Sequence, residues 1–206
     1  MEKIFASVYD TFMGPIERKY ITKWRRELLT QAKGKVLEIG AGTGINFPLY
    51  ERCDEVIALE PNPFMIEKGK ARVKKASVPV KIVEGMAEKL PFAEEEFDTI
   101  VVTLVLCSVG DPKKALAEMK RVLKANGTIL LIEHVKMNQP LLRVIQNMLT
   151  PVWKHLCDGC HLNRNTEKTI IESGLTIIHK KTYFSGLAIT LICQHMKSNK
   201  KKWDRL

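Results

Sequence analysis

Short apolar runs alternate with longer charged stretches along this chain. In residues 16–31, Ile16, Tyr20, Ile21, Trp24 and Leu28 fall at helical spacing among charged neighbours, which predicts an amphipathic helix ahead of the core. Apolar runs then recur at 36–39, 56–60, 80–84, 98–104 and 128–132. Each is too short for a helix and has the look of a buried strand. Between them, Asn62 stands where it would cap a helix running to about Lys75, and Asp111-Pro112 opens a second helix that would end at Asn126-Gly127. A third begins at Thr166, and the runs 175–183 and 187–196, parted by Ser185-Gly186, read as an antiparallel hairpin. Strands alternating with helices predict an α/β fold: a Rossmann-like, doubly wound, mostly parallel seven-stranded sheet closed by that hairpin. Ligands bind such sheets beyond the carboxyl ends of the strands, where the strand order reverses.

The first strand runs into the densest motif of the chain, Val36-Leu37-Glu38-Ile39-Gly40-Ala41-Gly42-Thr43-Gly44. Glycines there let the chain turn tightly and bring its backbone close to a ligand. Their spacing is G-x-G-x-G, with Ile45 where a dinucleotide loop would carry its third glycine. A helix expected from Asn46 would aim its N-terminus at the ligand. Glu38 suits a positively charged group. Glu60 ends the second strand about twenty residues on, a spacing that favours an acid accepting bonds from ribose hydroxyls over one that only stabilises the N-terminus of the Asn62 helix.

Composition narrows the setting. The 206 residues are 45% hydrophobic and 27% charged, as in a single globular domain. Within residues 1–206 the expected parts are an N-terminal helical cap at 1–33, an insert at 136–165 and a basic tail at 197–206. The five cysteines are too scattered for a disulfide framework. No apolar run reaches transmembrane length and the first residues lack signal-peptide order, so a cytoplasmic location is expected. The net charge of +10 gathers in residues 14–35 and in the tail, where weak contact with an anionic membrane is conceivable beside the plainer reading of a solvated face. No aromatic-interleaved basic patch of the kind that binds nucleic acid is present.

Acid-x-Gly-x-Gly-x-Gly after the first strand resembles the first motif of class I S-adenosylmethionine-dependent methyltransferases. The resemblance implies S-adenosylmethionine as methyl donor and a set of contacts to it. Glu38, Gly40, Ala41, Gly42, Thr43, Gly44 and Asn46 would surround the methionine end, and Glu60, Pro61, Asn62 and Met65 the ribose side. Gly85, Met86, Ala87 and Glu88 would line the adenine. Glu88 either reaches the adenine amine or is a solvated acid. Backbone carbonyls at Thr103 or Leu104 would take the amino group. Cys107 would lie beneath, as a buried thiol or, less commonly, a nucleophile. Tyr9 or Tyr20 would fold over the sulfonium, or else staple the first helix to the core.

Further stretches resemble methyltransferase-like proteins that methylate small thiols: Glu60-Pro61-Asn62-Pro63-Phe64, Thr103-Leu104-Val105-Leu106-Cys107-Ser108-Val109, Glu133-His134, and Asp158-Gly159-Cys160 with Arg164 and Thr166. That implies a small-molecule acceptor, most readily a thiol, with His134 orienting or deprotonating it and Asp158 and Arg164 shaping a lid. The chain also resembles the group that methylates quinone precursors and phospholipids, where a carbon acceptor would need a true base. A non-catalytic cofactor-binding or basic adaptor protein is the alternative from another class. Cys157 and Cys160, two residues apart between His155 and His161, read as half a zinc site, a redox pair or part of the lid; no second ligand pair stands nearby, and no metal is expected.

Overall fold

The computed structural model describes residues 14–157 and 159–195, with Lys3, Asp10 and Thr11. Tyr9, Asp158 and the basic tail lie outside the described residues. Seven strands form one sheet: β1 Gly34–Ile39, β2 Cys53–Glu60, β3 Val80–Glu84, β4 Phe97–Thr103, β5 Leu123–His134, β6 Thr176–Tyr183 and β7 Ala188–Gln194. Their order is β3-β2-β1-β4-β5-β7-β6. The first five strands pair in parallel, while β7 pairs antiparallel with both β5 and β6. The expected mixed sheet with its terminal hairpin is therefore present. Strand order reverses between β1 and β4, so a crevice opens beyond their carboxyl ends.

A π-helical turn, Glu17–Ile21, leads into helix α1, Thr22–Leu29. Helices α2 Pro63–Val73, α3 Pro112–Val122, α4 Pro140–Leu156 and α5 Thr166–Glu172 follow. The caps act as the sequence predicts. The Asn62 side chain accepts from the amides of Phe64 and Met65, and Asp111 from those of Lys113 and Lys114. One apolar cluster joins Leu37, Ile100, Leu116, Met119 and Leu131 across the sheet, and a second seats Trp24, Leu28 and Leu29 on the other face.

Three local expectations are corrected. The helix expected from Asn46 is a single 3-10 turn, Phe47–Leu49, and the chain is extended again at Tyr50. Tyr50 is drawn inward, fully buried, with its hydroxyl donating to Glu38, and the helix cannot continue past it. Helix α3 ends at Val122 instead of at Asn126-Gly127, because β5 already begins at Leu123, opposite Phe97. Arg25, one of the basic residues read as a surface charge, is buried. Its guanidinium donates to Glu17, Asn46 and Thr103 and so ties α1 to the ends of the loop and of β4.

Helix α4 fills most of the insert, and it faces the reverse of what burial alone would choose. Gln146 and Thr150 point inward and are buried, whereas Leu141, Val144, Ile145, Met148, Leu149 and Val152 are exposed, Leu141 and Met148 by more than 70%. Gln146 explains the orientation. Its amide donates to the carbonyls of Val135 and Leu162 and accepts from the Met137 amide, so it satisfies backbone groups that the insert leaves open. No helix among the described residues is long and apolar enough to cross a membrane.

Candidate active site

The glycine loop follows β1 directly. Gly40 has φ +65, and a Cβ there would stand 2.4 Å from Val105 Cγ2. Only glycine lets β1 and the β4 exit approach so closely. Gly42, at φ +57, has nothing within 4 Å of the place a Cβ would take, so its backbone faces open space. Beyond β4 the chain turns through Leu104 at φ +61, a strained conformation for a residue with a side chain. The buried carboxylate of Glu133, at the end of β5, holds that turn by accepting from the amides of Val105, Leu106 and Cys107. Burial pushes the Glu133 carboxyl up to about 7 despite those bonds.

Between these elements lies a cavity of about 600 Å³. Of the expected residues, Gly40, Gly42, Glu60, Pro61, Asn62 and Met65 line one part of it, and Gly85, Met86, Ala87 and Glu88 the next. Leu104, Cys107 and His134 line the remainder. Glu60 accepts from the amides of Gly42 and Asn62, so the loop and the start of α2 meet on one carboxylate. Glu88 lines the cavity and also accepts from the Asp111 amide.

Other expected residues support the cavity without lining it. Glu38 is buried behind the loop, bonded by Asn46 and Tyr50. Its desolvated carboxyl is pushed up to about 7, those two bonds and Arg25 notwithstanding. Asn46 and Thr103 complete the same buried network with Arg25. Thr43 bonds Asp10, which also pairs with Arg72. Tyr20 packs edge-on against Phe184 at 4.9 Å, the staple alternative. Arg164 donates to the carbonyls of Leu106 and Val109 and so clamps the insert to the β4 exit. Ala41 and Gly44 shape the loop from within.

The end of the cavity nearest the insert was not legible in the sequence. There Trp153, Cys157 and Cys160 join Cys107 and His134. His134 Nε2 lies 2.9 Å from Cys160 Sγ, and Trp153 Nε1 donates to the same sulfur at 3.3 Å. The donor atoms of Cys107, His134 and Cys160 all fall within 4.8 Å of one another. A hydrogen bond with Cys107 pulls the Cys160 thiol down against the cost of burial, helped by His134 and Trp153, while Cys107 itself is pushed up. Of the two insert cysteines, Cys160 therefore meets partners from across the fold, and Cys157 stands outside the group.

The chain residues fit S-adenosylmethionine on two counts. Asn62 Nδ2 is buried at the cavity wall without a hydrogen-bond partner, a donor awaiting an acceptor such as a ribose oxygen. Gly42 leaves the room that an approaching ligand requires. Comparison with known proteins agrees. A methyltransferase-domain family profile matches residues 37–131. The mouse thiol S-methyltransferase TMT1B is 39% identical over 184 residues, covering 82% of this chain and 75% of that protein. The chain belongs to the class I S-adenosylmethionine-dependent methyltransferases. This methyltransferase is also 27% identical to a phosphatidylethanolamine N-methyltransferase of Cereibacter sphaeroides, over 90% of the chain and 91% of that protein. Its fold is similar to that of the YcgJ protein of Bacillus subtilis, with a TM-score of 0.63, 26% identity, and coverage of 77% and 72% of the two chains. S-adenosylmethionine is its methyl donor.

Proposed function

We propose that this methyltransferase transfers the methyl group to the sulfur of a small apolar thiol held between the glycine loop and the Cys107–His134–Cys160 end of the cavity. The observation that carries the reading is the nature of that end: sulfur and imidazole groups in an otherwise apolar wall. The similarity to thiol S-methyltransferase TMT1B supports it. When bound, S-adenosylmethionine supplies a methyl group already activated on a sulfonium. Glu60 and Asn62 receive the ribose hydroxyls, the amides around Ala87 read the adenine, and the turn at Leu104 takes the amino group. His134 orients the acceptor. A thiol makes light demands on a base, because near neutral pH a small fraction is already thiolate. A carbon or amine acceptor would need a stronger base.

His134→Ala is expected to lower kcat/KM for a thiol acceptor at least tenfold, by order of magnitude for a positioning group, with cofactor affinity held. Isothermal calorimetry beside steady-state kinetics checks this. A loss of cofactor affinity with the acceptor parameters unchanged would place the acceptor elsewhere.

We also infer that the exposed apolar face of α4 rests on an anionic membrane; the same helix carries Trp153, which lines the cavity. The helix carries Arg143 and Lys154 and no acid, so two copies would repel where anionic lipid attracts. Met148→Ser with Leu141→Ser should reduce co-sedimentation with phosphatidylserine-containing vesicles several-fold. Undiminished co-sedimentation, or a dimer on gel filtration that the same changes dissociate, would overturn the inference.

A further inference from the structure

The Cys107–His134–Cys160 cluster is assembled from three separate parts of the chain. Cys107 leaves β4, His134 ends β5, and Cys160 stands in the insert. Two sets of bonds hold the insert against the β4 exit. The Arg164 guanidinium grips the Leu106 and Val109 carbonyls, and the His161 amide donates to the Cys107 carbonyl at 2.8 Å. Both anchors follow Cys160 closely in sequence, one from backbone and one from a side chain, and they hold it opposite Cys107. On the other flank, Glu133 fixes the backbone of Cys107 and precedes His134 in the same strand. This is a rigid frame for three soft donors, and the frame is open on one side to the cavity.

We propose that Cys107, His134 and Cys160 bind a soft divalent cation, zinc by preference, whose fourth position faces the cavity and accepts the sulfur of the methyl acceptor. Three protein ligands with one open position is the arrangement of catalytic zinc sites, and two thiolates with an imidazole suit zinc over harder ions. The dimensions fit. Bond lengths near 2.0 Å to nitrogen and 2.3 Å to sulfur put tetrahedral ligand atoms about 3.5–3.8 Å apart. The present separations, 2.9 Å for Nε2 to Cys160 Sγ and no more than 4.8 Å for any pair, reach that range with small side-chain rotations. The Trp153 indole N–H stays placed to donate to the Cys160 sulfur, as outer groups commonly do for metal-bound ligands. Cys157 is outside the set.

The proposal rests on the acceptor position given above and specifies how the thiol is held. On coordination the acceptor's S–H proton leaves to solvent and its sulfur binds as thiolate. In the transfer, a new carbon–sulfur bond forms to that thiolate as the sulfonium–methyl bond breaks. The bonding pair of the broken bond stays on the donor sulfur, giving S-adenosylhomocysteine and a neutral thioether, and the thioether, a weaker ligand, frees the position.

Cobalt(II) titration of metal-stripped full-length protein tests this, with zinc competition read against a chromophoric chelator. The expected result is one equivalent bound, with a sulfur-to-cobalt charge-transfer band that a small alkyl thiol perturbs. Cys160→Ser and Cys107→Ser should each weaken zinc binding at least tenfold, in line with the sensitivity of such sites. Cys157→Ser should leave it within about twofold, a control band set by the same comparison. Calorimetric S-adenosylmethionine binding in each variant verifies folding. Absence of the charge-transfer band, or a band that survives both substitutions, overturns the metal site. Thiol methylation by rigorously metal-free protein at an unchanged rate would also overturn it while leaving the thiol assignment standing. Failure to methylate any thiol with metal bound would instead strike at that assignment.

Discussion

Glu60→Ala weakens S-adenosylmethionine binding about a hundredfold while the protein remains folded, if the carboxylate does what its position implies. It ends β2 at the cavity wall, and its two oxygens accept from Asn62 and Gly42. Under the proposed ribose assignment, removal costs the cofactor a partner, and it also frees the Gly42 and Asn62 amides that hold the loop. A hydrogen bond to a charged group contributes about 1.5–3 kcal/mol, and every 1.4 kcal/mol is tenfold in affinity. Two such bonds give the hundredfold figure as a lower range. Glu60→Asp, one methylene short, should fall between. Calorimetry reads the affinity and circular dichroism the fold. Unchanged affinity in Glu60→Ala would remove the ribose assignment.

Arg25→Ala has the largest expected effect on stability, about 3–5 kcal/mol, since it strands a buried carboxylate. Arg25 is 4% exposed and Glu17 is 7% exposed, and the pair closes at 2.8 Å. The same guanidinium serves Asn46 and Thr103, so the loss extends to the network beneath the glycine loop. Urea denaturation measures the change. The double variant Glu17→Gln, Arg25→Met should recover part of it, because it removes the charge and its partner together. A single variant within about 1 kcal/mol of the parent, the usual range for an exposed pair, would show that the pair is solvated.

Much of the fold can be read from the chain because local chemistry and tertiary structure agree there. The strands are continuous apolar runs, Asn62 and Asp111 cap the helices they precede, and the glycine spacing marks the ligand loop. The parts that escape the sequence are those in which distant residues decide. Arg25 has the same pattern as its solvated neighbours, and only Glu17, Asn46 and Thr103 together make burial possible. The helix after Asn46 is ended by Tyr50, whose partner Glu38 lies twelve residues earlier and in another element. Periodicity reveals that α4 has an apolar face but not that Gln146 turns it outward. The cavity's far end is the clearest case. Cys107, His134 and Cys160 are widely spaced along the chain, and no local motif joins Cys107 to a cysteine in the insert. Cys157, the obvious sequence partner of Cys160, faces the same cavity without entering the cluster.

The acceptor decides the central claim most directly. The protein is incubated with methyl-labelled S-adenosylmethionine and, in parallel, a small alkyl thiol, a demethylated quinol and phosphatidylethanolamine vesicles, and the labelled product is identified by mass spectrometry. Label is expected in the thioether of the alkyl thiol, at a rate well above the other two. Label confined to the quinol carbon or the phospholipid amine would contradict the thiol account.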